Sequence, residues 1–187
     1  MQTRAELQSS IDQYLSSKRI YLNRSQRSVL NWAMIDDHQS ILELGCVQEN
    51  LINELQNQYR IRACGLCFDV ELAQSLRLSL SEAEIMPSIS GDIPWRSNSF
   101  DRIILTNALP HYFSLNVFLT EIYRVLAPEG KIVLALSGLK LNHLMHSLKP
   151  DSAVWKQFLV LIESVGFKDA TCNRSRFGQR CLIAHKY

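Results

Sequence analysis

The stretch Cys64-Gly65-Leu66-Cys67 has the CxxC spacing of redox and metal-binding motifs. In a redox protein such a pair opens a helix, where the dipole lowers the thiol pKa. Here it runs along an apolar, strand-like segment from Ile61 to Phe68. Side chains alternate along a strand, so Cys64 and Cys67 face opposite ways and share neither a disulfide nor a metal. Cys46 approaches Cys67 if their strands are neighbours, but three cysteines without a fourth ligand do not make a zinc site. His143 and His146 stand at i, i+3 on a helical stretch, which can bring two imidazoles together. No nearby carboxylate completes a metal site, so no metal is expected. His111, in Asn107-Ala-Leu-Pro-His111-Tyr112, follows an apolar strand. Its ordinary pKa lies near neutrality, which suits a base for a substrate hydroxyl or amine; a loop histidine without chemistry fits the same residue. Asp69 precedes a helical stretch and is a favoured N-cap type. Asp92 follows Gly91 in a turn-like setting. Tyr112 and Trp95 either wall a pocket near His111 or pack over it.

The elements that would position these residues alternate along the chain. Short apolar runs read as strands at Ile41–Leu44, Ile61–Phe68, Ala83–Ile89, Asp101–Thr106 and Lys131–Leu136. Helical patterns fall at Glu49–Tyr59, Glu71–Leu80, Leu115–Leu126 and Asp151–Val165, and Pro128 and Gly130 are expected to end the third of these. Ala170–Asn173 and Arg180–His185 read as two strands joined by a turn at Phe177-Gly178. Ahead of the first strand, Ser25 would cap a helix that buries Val29, Leu30, Trp32 and Ala33. Strands alternating with helices predict βαβ crossovers and a mostly parallel, doubly wound α/β sheet of seven strands. The last two strands have no helix between them and should form an antiparallel edge hairpin. A single domain is expected over 1–187, with an N-terminal helical cap over 1–38 and an α/β core over 39–187. In such sheets ligands bind beyond the carboxyl ends of the strands, at the topological switch point. That directs attention to the loops after Leu44, Phe68 and Thr106 and around Gly91-Asp92.

Composition agrees with a globular protein: 47% hydrophobic, 20% charged and a formal charge of +2. So small a charge does not favour a nucleic-acid partner. Arg174, Arg176 and Arg180 could form a local basic patch, or a solvated turn. No apolar run reaches the 18 to 20 residues that span a bilayer. The N-terminus has no apolar signal core, and the five irregularly spaced cysteines make no disulfide framework. A cytoplasmic protein is therefore expected.

Taken in order, ILELGC, ACGLCFDVELAQSLR, GDIPWRSNSFDRIIL and FLTEIYRVLAPEGKIVLALS resemble the class I S-adenosylmethionine-dependent methyltransferases. The closest likeness is to the small-molecule group called methyltransferase type 11, from about Ile41 to the C-terminus. EIYRVLAPEGKIVLA matches the family's E-x-x-R-V-L-K-P-G-G-x-L, with Glu129 in place of the first glycine. The resemblance implies S-adenosyl-L-methionine as cofactor and a small-molecule acceptor. The cofactor positions it implies are Glu43, Gly45, Cys46, Phe68, Asp69, Asp92, Ile93 and Asn107. Asp92 would accept from the adenine amino group, the Ile93 amide would face the ring, and Phe68 would offer it an apolar face. His111 is the candidate base. Two motifs depart from the family. Val47 and Glu49 stand where the second and third loop glycines would be. Cys67 stands where an acid would hold the ribose hydroxyls, so Asp69, two residues on, would substitute. The departures keep a second expectation open: an inactive methyltransferase fold that binds or scaffolds a protein partner.

Overall fold

In this computed structural model, residues 22, 24–46, 50–105, 114–136, 151–174 and 180–187 are described. Their elements are α1 (Arg24–Ala33), β1 (Ser40–Leu44), α2 (Asn50–Gln58), β2 (Arg62–Cys67), α3 (Val70–Ser79), β3 (Glu84–Pro87), β4 (Phe100–Leu105), α4 (Leu115–Val125), β5 (Leu126–Leu136), α5 (Asp151–Val165), β6 (Lys168–Arg174) and β7 (Arg180–His185). The seven strands form one sheet in the order β3-β2-β1-β4-β5-β7-β6. β1 pairs in parallel with β2 and β4, β2 with β3, and β4 with β5. β7 is antiparallel to both β5 and β6. This is the expected doubly wound sheet with an antiparallel edge. The strand order reverses between β1 and β4, which is where a sheet of this kind is expected to place its ligand crevice.

Both faces of the sheet are covered, which explains why its central strands read as continuous apolar runs. Alternation sends Leu42, Ile103, Leu105 and Leu134 to one face, against Phe118 and Ile122 of α4 and Phe158 of α5. It sends Ile41, Ile104 and Val133 to the other, against Val29 and Ala33 of α1 and Leu51 and Leu55 of α2. α3 adds Ala73 and Leu76 to a cluster with Ala63 and Ile85. Arg102 ties α1 to the sheet: its Nε donates to the Ala33 carbonyl at 2.9 Å, a bond that suits the negative end of the helix dipole.

Two details differ from the sequence expectation. Ser25 is the second residue of α1 rather than its N-cap, since the helix already includes Arg24. The helix expected to run to Leu126 stops at Val125, and Pro128 and Gly130 lie inside β5 rather than in a turn before it. The reason is a bulge. Phe100 pairs with Leu126 and Arg102 pairs with Lys131, so the extra β5 residues loop out between them. The bulge is closed from the C-terminus: Glu129 N donates to Lys186 O at 2.7 Å, and Lys186 N donates to Gly130 O at 3.1 Å.

Lys186 also caps α4. Its ammonium donates to the carbonyls of Tyr123 and Leu126 and to Asn98 Oδ1, at 2.7 to 2.8 Å. It sits 4.7 Å from the centre of the Tyr123 ring. Every N–H of the ammonium has an acceptor, and two of those acceptors are carbonyls at the helix end. Lys186→Met should therefore cost about 1.5–3 kcal/mol, the scale of hydrogen bonds to a charged group. Thermal unfolding would register this as a loss of roughly 3–12 °C. Glu129 has φ +62, in the left-handed region that disfavours side chains. Glu129→Gly should raise stability by about 0.5–1 kcal/mol in denaturant titration, strain relief outweighing the added chain entropy. An unchanged midpoint would mean that the bulge holds Glu129 without strain.

Candidate functional site

Gly45 ends β1 in a turn that needs its lack of side chain. Its φ is +69, and a Cβ there would lie 2.9 Å from Cε2 of the Phe68 ring. Its N–H and that of Cys46 both donate to Leu66 O, at 2.8 and 3.1 Å, holding the turn against β2. Phe68, half-buried just beyond β2, closes over Gly45 and meets Phe118 of α4 edge-on at 6.0 Å. The two expected positions Gly45 and Phe68 are thus in direct contact.

Asp69 has the capping role foreseen for it. Its Oδ1 accepts from Leu72 N at 2.8 Å, at the N-terminus of α3, while the side chain remains exposed. One carboxylate oxygen therefore fixes the helix start, and the fixed carboxylate lies two residues from the end of β2. Asp92 is also exposed, and Oδ1 accepts from Ser90 Oγ and, at 3.5 Å, from Ser88 Oγ. Ser88 Oγ itself accepts from Gly91 N at 3.2 Å, so this loop orients its own acid. The two serines were not among the expected site residues. Their only signal in the sequence was proximity to Asp92.

Glu43 is 2% exposed, one residue from the end of β1. Its charge helps push the Cys46 thiol pKa up, behind the Cys67 hydrogen bond and burial. Cys46 and Cys67 are both fully buried, their sulfurs 3.1 Å apart, as the reading of neighbouring strands anticipated. Cys64 points to the other face, its Sγ 3.6 Å from Glu84 Oε2. Trp95 is packed rather than lining a pocket: its Nε1 donates to Glu84 Oε1 at 2.9 Å, and its ring meets Phe100 edge-on at 5.4 Å. His111 and Asn107 lie outside the described residues, as do Val47 and Glu49, Tyr112, and the pair His143 and His146. Among the described residues no cluster of His, Cys, Asp and Glu could hold a metal ion.

A pair on α4 fixes the loop that carries Asp92. Glu121 and Arg124, the E-x-x-R of the sequence motif, bind each other through both carboxylate oxygens at 2.7 Å. Glu121 Oε2 also accepts from Ile93 N at 3.2 Å. Arg124 donates to Ile93 O and Trp95 O, each at 2.8 Å. The Ile93 amide expected to face a ligand ring is thus occupied by Glu121, and the Ile93 side chain is buried in the core. Hydrogen bonding to Arg124 holds the Glu121 carboxyl below its ordinary pKa. A depressed carboxyl pKa adds stability above the unfolded value, and that stability is lost as pH falls through the folded one. The clamp therefore persists at neutral pH and opens only in acid. Arg124→Met removes it at any pH. Hydrogen-exchange measurements should then show faster exchange at Ile93, with a melting point lower by roughly 4–12 °C.

Residues 42–134, from β1 into β5, match the family profile described as a methyltransferase domain. The fold agrees. A TehB-like S-adenosylmethionine-dependent methyltransferase from Corynebacterium glutamicum superposes with a TM-score of 0.68 at 15% identity, over 99% of this chain and 100% of that one. The methyltransferase solved in complex with the Trm112 activator, from Haloferax volcanii, gives 0.68 at 14%, over 86% and 88%. The [4+2]-cyclase SpnF gives 0.66 at 14%, over 87% and 80%. No curated protein sequence matches the chain significantly. Sheet order, edge hairpin and the glycine turn at the switch point define a Rossmann-like methyltransferase fold. Residues 42–134 of the α/β core thus match a methyltransferase domain, and the fold is that of the class I, S-adenosylmethionine-dependent methyltransferases.

Proposed function

We propose that the protein transfers a methyl group from S-adenosyl-L-methionine to a small-molecule acceptor. The observation that carries this reading is the Gly45 turn: a left-handed glycine under Phe68, at the switch point, inside the stretch that matches the methyltransferase profile. The residues present fit this cofactor in part. Gly45 lets backbone come close, Phe68 offers an apolar ring, and the exposed carboxylates of Asp69 and Asp92 supply two hydrogen-bond acceptors in the loops beyond β2 and β3. Cys67, at the expected ribose position, is buried away from such a role.

Bound there, the cofactor supplies an electrophilic methyl on a positively charged sulfur. The chain's part is to hold donor and acceptor in line and to exclude water, so proximity and orientation supply most of the acceleration. Asp69, held by its cap bond to Leu72 N, would bind the ribose hydroxyls, and Asp92, oriented by Ser88 and Ser90, the adenine amino group. Cys46 and Glu43 would shape the turn from behind, while Ile93 supports the loop through its buried side chain. His111 would take the acceptor's proton, and Asn107 would lie beside the cofactor.

A second reading is favoured by specific observations: the Ile93 amide is engaged by Glu121, and no acid ends β2. A fold kept for protein binding, without methyl transfer, accounts for both. The Haloferax relative was solved with an activator protein, and SpnF is a cyclase, so the fold itself does not select the reaction.

Calorimetric titration with S-adenosylmethionine and S-adenosylhomocysteine separates the two. The methyltransferase reading expects micromolar affinity, weakened at least tenfold in Asp92→Ala, a loss of about 1.4 kcal/mol. Absence of heat and of any thermal shift at millimolar ligand would leave the binding-module reading standing.

A further inference from the structure

Two thiols meet where β1 and β2 end. Cys46 and Cys67 are buried in the cluster that includes Ile52, Ala73 and Ile85, with their sulfurs 3.1 Å apart. A disulfide needs about 2.05 Å, so roughly 1 Å of approach joins them. The surroundings hold this geometry. The Gly45 and Cys46 amides are fixed on Leu66 O. Gly65, beneath, leaves the space that Cys46 fills, since a Cβ there would lie 2.9 Å from Cys46 Sγ. Cys64 is turned to the opposite face, and Cys172 and Cys181 are strands away on β6 and β7.

We propose that Cys46 and Cys67 are an oxidisable pair that forms a reversible disulfide with hydrogen peroxide, cross-linking the β1–α2–β2 unit behind the candidate crevice. The inference rests on the packing of the two thiols and stands whether or not the chain transfers methyl groups. The hydrogen bond between the thiols favours the Cys67 thiolate, while that bond, burial and Glu43 hold the Cys46 proton. Cys67 therefore reacts first. As the thiolate, its sulfur attacks one peroxide oxygen, the O–O bond breaks, a sulfenic acid is left, and the departing hydroxide becomes water with the proton that Cys67 gave up on ionising. The Cys46 sulfur then displaces hydroxide from Cys67. The S–S bond forms, and the Cys46 proton leaves with that hydroxide as a second water. Two thiols lose two electrons, and one peroxide becomes two waters. Burial at zero exposure excludes bulky disulfide oxidants, whereas peroxide is little larger than water.

The experiment treats the native chain with peroxide, alkylates it under denaturing conditions and maps the peptides by mass spectrometry. The expected product is a Cys46–Cys67 cross-linked peptide lighter by two hydrogen atoms. The melting temperature should rise by roughly 5–12 °C, because the bond closes a loop of about twenty residues in the unfolded chain. Dithiothreitol should reverse both changes, Cys67→Ala should lose both, and Cys64→Ser should keep both. Should Cys67→Ala fail to fold, the wild-type peptide map still decides. Recovery of both thiols alkylated after peroxide, or a Cys172–Cys181 bond in their place, would overturn the proposal.

Discussion

β1 is hydrogen-bonded along both edges and packed on both faces. That double constraint determines much of the rest. Apart from Glu43 its buried residues are apolar, since α1 and α2 cover one side and α4 the other. Its register with β2 and β4 brings the strands' carboxyl ends level, where the sheet changes direction. The chain must then leave β1 sharply enough to pass beneath Phe68, and only a residue without a Cβ does so without collision. The glycine turn is first of all the continuation of a buried strand.

Around that turn the loops are held by polar contacts from outside themselves. The Glu121–Arg124 pair grips the Ile93 peptide from both its amide and its carbonyl. Lys186, from the far end of the chain, closes the β5 bulge and the end of α4. α4 thus links the C-terminus to the Asp92 loop, and its two charged residues act as structural clamps. Such clamps hold the loops in fixed positions, which would suit chemistry governed by placement.

Sequence periodicity was enough for the sheet. β1, β2, β4 and β7 lie within a residue or two of their expected bounds because buried parallel strands write themselves as apolar runs. Asp69 as a cap and the meeting of Cys46 with Cys67 were also legible, since each follows from short-range spacing plus strand adjacency. The start of β5 was not. Leu126, Pro128 and Gly130 read locally as a helix stop and a turn, and what draws them into a strand is pairing with Phe100 and with Lys186, far off in the chain.

The sequence by itself determined the alternation of elements, the sheet class, the family likeness, the glycine turn at Gly45 and the helix cap at Asp69, because these follow from local pattern and chemistry. Tertiary structure alone decided what each polar group does. It gave the Ile93 amide to Glu121, the Trp95 indole to Glu84 and the Lys186 ammonium to three separate oxygens. Hydrogen-bond partners are chosen among groups brought together from distant parts of the chain, and that choice leaves no mark on local periodicity.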